Sequence, residues 1–256
     1  MAPLGLTAEQ LNFYHDNGYI LIKELLGAQE AAALRAEMHE LVQRLEKLGS
    51  TDATWSMARD QKRRTIVQHC HDVQFHSAAV SRLIVDPRLT SIAQAIIGPN
   101  VQLHHTKMFI KPPERGSLFP MHQDEPYFPH QRHSMIAAII HFDDASVEKG
   151  CVRVVPGSHK LGPIKTDRPD HSLPPEQYPI EAALPLPARA GDVLFFHYLT
   201  IHGSGLNVSN EPRTTLLVQM REPTDPPMVR THESRGQGMM LAGIDPSCCR
   251  TRPLQG

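Results

Sequence analysis

From residue 100 onward the chain breaks into short apolar or alternating runs punctuated by Gly and Pro turns, whereas the first hundred residues carry helical periodicity. Together these predict a mainly β fold with flanking helices: a double-stranded β-helix of jelly-roll, cupin-like type buttressed by N-terminal helices. A third observation agrees. His122 and Asp124 lie two residues apart between Pro120 and Pro126, and on an extended strand that spacing projects both from one face, at a strand mouth.

The helical part begins at Thr7, which caps a helix whose Gln10 reaches back in a capping box, and Gly18 stops it. A strand over 19–25 follows. Residues 28–48, rich in Ala, Leu, Glu and Arg, place Leu34, Met38, Leu41, Leu45 and Leu48 on helical spacing. A third helical stretch over 78–97 is interrupted at Asp86-Pro87 and ends at Gly98-Pro99. Strands are expected over 101–111, 135–142, 151–155, 192–197 and 213–220. The proline-rich stretch 161–187 reads as a long functional loop. No repeat or linker interrupts the chain. It reads as one domain over 1–256, with helices to about 97, the β-helix core over about 100–222 and a tail over about 245–256.

Composition removes several function classes. The 256 residues are 40% hydrophobic, ample for a core, and the formal net charge of −1 lacks the signature of a nucleic-acid or membrane-surface binder. No run approaches the roughly 20 apolar residues of a membrane span. The N-terminus lacks a signal-peptide pattern. Cys70, Cys151, Cys248 and Cys249 show no zinc spacing and fit a reducing compartment. The expectation is a soluble cytoplasmic protein acting on a small molecule.

Sixteen histidines make chance pairings common. His141-Phe142-Asp143 repeats the His-x-Asp spacing, and His69-Cys70-His71 is another close pair. Asp143 runs into Asp144-Ala145, a strand end opening a turn, so His122 and Asp124 are the preferred ligands. For a distant third ligand His202 competes with His197. His197 follows the bulky run Val193 to Phe196 and reads as packed, whereas Gly203 and Gly205 leave room beside His202. Two histidines and a carboxylate occupy one face of an octahedral Fe(II) and leave three positions for a chelating cosubstrate, water and O2. That pattern predicts an oxygenase. Further on, Arg213 and Thr215 share one strand face and form a fork suited to a carboxylate.

At this point the residues resemble a family. His105-Thr106 with Lys111-Pro112-Pro113, Met121-His122-Gln123-Asp124 with Tyr127-Phe128-Pro129, Gly150-Cys151 with Pro156-Gly157-Ser158-His159-Lys160, the run 191–197 and the run 201–207 are similar to the phytanoyl-CoA dioxygenase family of Fe(II)- and 2-oxoglutarate-dependent oxygenases. The resemblance covers about 7–222. It implies iron on His122, Asp124 and His202, the 2-oxoglutarate tail on Arg213, and Lys107 at a cosubstrate-pocket position. Two departures stand out: Ile140 replaces a pocket tryptophan, and an upstream cosubstrate-binding lysine has no counterpart near Cys70.

The implied reaction is hydroxylation of an unactivated C–H of a small metabolite, with 2-oxoglutarate and O2 consumed and succinate and CO2 released. Asp124 favours hydroxylation over halogenation, because a small residue there would free a metal position for halide. Tyr127, Phe128, His130, Phe109, Ile140 and Arg221 are candidate substrate contacts, and 125–133 and 161–187 are candidate walls of the mouth. Lys160, Lys165 and Arg168 are too scattered to bind the phosphates of a CoA thioester. An acyl-CoA 2-hydroxylase and a cupin-like metal protein that does not use 2-oxoglutarate remain the alternatives.

Overall fold

Thr7 opens α1 (Ala8–Asn17) with both halves of the capping box in place, Thr7 Oγ1 accepting from the Gln10 amide and Gln10 Oε1 from the Thr7 amide, and Gly18 closes it at φ 78°. The computed structural model describes residues 5–49, 53–57, 66–113 and 118–247. After β1 (Tyr19–Ile22) comes α2 (Ala28–Lys47), which buries Ala31, Leu34, Met38, Leu41, Val42 and Leu45 on one stripe. The hairpin β2 (Ala53–Met57) and β3 (Ile66–His71) precedes α3 (Ala78–Ile84) and α4 (Pro87–Ile97), separated at Asp86, whose carboxylate caps α4. Then follow β4 (Val101–Lys111), β5 (Phe119–His122), β6 (Ile136–His141), β7 (Val152–Val154), β8 (Leu184–Leu186), β9 (Val193–His197), β10 (His202–Ser204), β11 (Arg213–Arg221) and β12 (Met240–Ala242).

Two antiparallel sheets face each other. The larger runs β1-β9-β6-β11-β4-β3-β2 with β12 on β4, and the smaller runs β5-β10-β7-β8. Strand alternation gives the large sheet two unlike faces. Met108, Ile110, Ile136, Ala138, Ile140, Val193, Phe195, Leu216, Val218 and Met220 point outward into the apolar cluster with α2, α3 and α4. The opposite face looks at the small sheet, where Leu194 and Phe196 pack with Val152, Val154 and Leu186.

The expected elements are present, with differences at their ends and between them. The first strand stops at Ile22 because the chain turns there, with the Glu24 amide bonded to Asp192 Oδ1 at 2.8 Å. Strands β2, β3, β5, β8, β10 and β12 carried no clear periodic signal. The 161–187 segment is ordered: it holds a 3-10 turn, β8, and a bridge from Ser172 to His122. Cys248, Cys249 and the rest of the expected tail from 248 lie outside the described residues. Among the described residues no helix is long and apolar enough to cross a membrane.

Candidate metal centre and cavity

His122 ends β5, Asp124 follows two residues later, and His202 begins β10, where it is the direct register partner of His122. The ligand atoms of these three lie within 4.8 Å of one another, the one such group found among the described residues. Both imidazoles aim Nε2 at Asp124 Oδ1 from 3.7 Å, too far for a hydrogen bond. Their other nitrogens are fixed: His122 Nδ1 donates to the Pro120 carbonyl at 2.7 Å and His202 Nδ1 to the Thr200 carbonyl at 3.0 Å. A carbonyl only accepts, so Nδ1 carries a proton on both rings, which leaves Nε2 as the ligating atom of each neutral imidazole; Asp124 raises the pKa of His122 against the effect of burial. The Gln219 amide donates to Asp124 Oδ2 at 3.1 Å, the outer support that metal ligands characteristically have. Burial opposes ionisation of Asp124, but the neighbouring His202 and His122 outweigh it and bring the carboxyl to about 2. Burial, with His122 beside it, pushes His202 down to about 4, keeping it neutral and able to ligate. This N, N, O set fits a divalent ion held at roughly 2.0–2.2 Å.

Deeper in, two cations are buried side by side. Arg213 and Lys111 are register partners on β11 and β4 and are 5% and 0% exposed. Arg213 gives one Nη1 hydrogen bond to the Gly150 carbonyl, and its Nε has no partner. Lys111 Nζ donates to Ser204 Oγ at 2.8 Å and to the Gly205 carbonyl at 2.6 Å. Burial pulls both pKa values down, and Arg213 lowers Lys111 further. Among the described residues no carboxylate pairs with either. An unpaired buried charge is costly, and an arrangement of two fits an anionic ligand.

His122, Asp124, His202 and Arg213 line one cavity of about 630 Å³, with Ser204, the partner of Lys111, in its wall. Its walls include Phe109, Phe119, Tyr127, Phe128, Phe196, Thr215 and Lys107, together with Asp170 and Ser172 of the long loop and His232, Glu233 and Ser234 of the segment after β11. Tyr127 ties these walls together. Its hydroxyl donates to the Asp170 carbonyl at 2.6 Å, and its own carbonyl accepts from Thr231 Oγ1 at 2.6 Å and His232 Nδ1 at 2.9 Å.

Several expected positions need correction. Ile140 faces the helices, across from Leu216 and Val193, and its neighbour Ile139 lines the cavity. Arg221 turns away, its Nη1 donating to the carbonyls of Glu222, Pro223 and Asp225. His130 is buried beside His104 and donates to the Phe128 carbonyl. The space beside Gly203 is filled by β5: a Cβ there would meet Met121 Sδ and the Phe119 carbonyl at 2.8 Å. His197 stands apart from the metal group, accepting from the Leu199 amide at 3.1 Å. His141 bonds to the Asp192 carbonyl, and Asp143 is taken by Arg35 and the Thr214 amide.

Sequence reasoning gave no site role to Lys111, Ser204, Gln219, His105 or the segment 232–234; His105, Lys111 and Ser204 entered it only within the motifs that carry the resemblance. Lys111 was open to discovery: Lys107, Phe109 and Lys111 alternate on β4 and share its inner face.

A family profile described as phytanoyl-CoA dioxygenase (PhyH) matches residues 14–215. The chain is 30% identical over 228 residues to the peroxisomal phytanoyl-CoA dioxygenase of Homo sapiens, covering 79% of this chain and 64% of that one, so it spans less than two thirds of that relative. It is 28% identical over 249 residues to an ectoine dioxygenase of Bordetella parapertussis, covering 87% of this chain and 79% of that one. Its structure is similar to that of the non-heme alpha ketoglutarate dependent carbocyclase SnoK from nogalamycin biosynthesis, with a TM-score of 0.75, 26% identity, and coverage of 91% of this chain and 93% of the other.

Proposed function

The chain belongs to the phytanoyl-CoA dioxygenase family, and from that premise we propose that it is an Fe(II)- and 2-oxoglutarate-dependent dioxygenase that hydroxylates an unactivated C–H of a small metabolite. The observation that carries this reading is the pair of buried cations without a counterion, Arg213 and Lys111, beside the His122, Asp124 and His202 group. A metal protein of the same fold that did not use 2-oxoglutarate would leave those cations without a task.

His122, Asp124 and His202 hold the iron. Arg213 takes the distal carboxylate of 2-oxoglutarate through charge-assisted hydrogen bonds. Thr215, on the same strand face, lines that pocket, and Lys111 fixes Ser204 and the Gly205 carbonyl at its edge. When bound, iron with 2-oxoglutarate and O2 supplies the oxidising power that converts C–H to C–OH, with succinate and CO2 as co-products. The chain positions the reactants and excludes water. Gln219 prevents Asp124 from rotating, the Pro120 and Thr200 carbonyls keep both Nε2 atoms available, and Tyr127, Phe128, Phe109 and Phe119 give the cavity an aromatic wall. The cavity volume, shared with the cosubstrate, suits a small partner. Cys151, buried as a free thiol, supports a reducing, cytoplasmic setting.

Anaerobic titration tests the reading. Adding Fe(II) and then 2-oxoglutarate to the purified protein is expected to produce a weak visible metal-to-cosubstrate charge-transfer band, and admitting O2 is expected to yield succinate. Iron binding without such a band, and without succinate, would overturn it.

A further inference from the structure

Lys107 projects into the cavity from β4, between His105 and Phe109 on that face, opposite Leu217 of β11 and His71 of β3. Its ammonium lies 4.9 Å from the centroid of the Phe109 ring, a cation–π contact. No carboxylate among the described residues pairs with it. Of the acids that line the cavity, Asp124 faces the two histidines and Gln219, Asp170 bonds Ser172, Glu233 pairs with Arg230, and Asp72 accepts from the Arg235 amide through Oδ2 at 3.4 Å with its Oδ1 unpartnered; none of them pairs with Lys107. Burial lowers Lys107 to about 8, which leaves it cationic at neutral pH in surroundings that disfavour the charge.

A count of charges gives this lysine its role, on the premise of the function proposed above. Fe(II) on two neutral imidazoles and Asp124 carries one net positive charge, which the metal-binding carboxylate of 2-oxoglutarate cancels. Arg213 meets the distal carboxylate. Lys111, its pKa lowered by burial and by Arg213, is taken up by Ser204 Oγ and the Gly205 carbonyl. Both acid groups of the cosubstrate are then matched, and Lys107 is the cation of the cavity wall left without an oxygen partner. We propose that Lys107 receives the acid group of the prime substrate, so that the enzyme acts on a small monoanionic metabolite, a carboxylate, anchored at Lys107 with its reacting C–H directed to the metal group. The wall at this level offers one ammonium beside Phe109 and Leu217, which matches a single negative charge rather than a phosphate dianion. Lys107 thereby passes from the cosubstrate role implied by resemblance to a specificity-determining one.

The test uses Fe(II)- and 2-oxoglutarate-loaded protein under argon, titrated with short-chain carboxylic acids, their primary amides and the amines of equal length. Binding is read both by calorimetry and by the shift of the charge-transfer band. The best acid is expected to bind about tenfold or more tightly than its amide. Lys107→Met, close in shape to lysine, should erase that difference while 2-oxoglutarate affinity stays within about threefold, and Lys107→Glu should turn the preference toward the amines. Acids binding no better than amides, an acid preference that survives Lys107→Met, or a loss of 2-oxoglutarate affinity in that variant would each overturn the proposal. A missing charge-transfer band would strike the proposed function instead, and the calorimetric comparison of acid with amide would still decide the role of Lys107.

Discussion

Along β11, Thr214, Leu216, Val218 and Met220 face the helices, while Arg213, Thr215, Leu217 and Gln219 face the cavity. The two sets are nearly equally buried: Leu216, Val218 and Met220 are 0% exposed, and Arg213, Thr215 and Gln219 are 5%, 3% and 0%. Their energetics are opposite. Each apolar side chain on the helix side stabilises the fold by about 1.5–3 kcal/mol, whereas the cavity side buries a guanidinium and leaves Arg213 Nε and Gln219 Oε1 without partners, which costs free energy. One strand therefore separates folding from binding by the parity of its residue numbers. Burial alone does not distinguish the two roles; the chemistry of what is buried does.

Breaking the cavity face should abolish function and spare the fold. Asp124→Ala is expected to reduce succinate formation to background with the thermal unfolding midpoint close to wild type, and His197→Ala should remain active. An active Asp124→Ala, or an inactive but folded His197→Ala, would move the metal elsewhere. Next in size is Arg213→Ala, which removes the charged partner of a buried carboxylate, a loss of about 2–5 kcal/mol or roughly 30-fold and more in the apparent constant for 2-oxoglutarate. The cosubstrate-free variant should be no less stable than wild type, since an uncompensated buried charge has gone. Leu216→Ala, one pleat away on the other face, sharpens the contrast from the opposite side. It should lower unfolding free energy by about 2–5 kcal/mol and leave kcat and both Michaelis constants unchanged, as denaturant melts and initial rates would register.

Legibility in the sequence followed the same division. The helices, the long strands and the His122, Asp124 and His202 grouping could be read because polar residues broke the pattern at definite places. The phase of β6 could not: Ile136-Ala137-Ala138-Ile139-Ile140 is apolar at every position, so alternation has nothing to mark, and the expected cavity position at Ile140 belongs to Ile139. β5 was obscured by Pro120, and β10 by its brevity and by Gly203, whose missing side chain admits Met121 rather than a ligand. His232 and Ser234 come from a stretch without regular structure, and their place at the mouth is set by contacts with Tyr127 and His104 that no local pattern encodes. Arg221 resembles a pocket cation by its place beyond the expected last strand; it is in fact the last residue of β11, and the carbonyls of the next turn claim it.

The register partnership of His122 with His202 reaches beyond binding. β5 and β10 are four and three residues long, with an irregularity between His202 and Ser204, and the chain between them is long, so their pairing brings together distant segments at a considerable entropic cost. A slip of one residue would turn one histidine to the far side of the small sheet. An ion held by both histidines would therefore act as a proofreader of strand alignment, since it would bind the correct pairing alone and draw the folding equilibrium toward it as its concentration rises. On the proposed function, iron would then favour closure of the second sheet as well as supply the chemistry of the site.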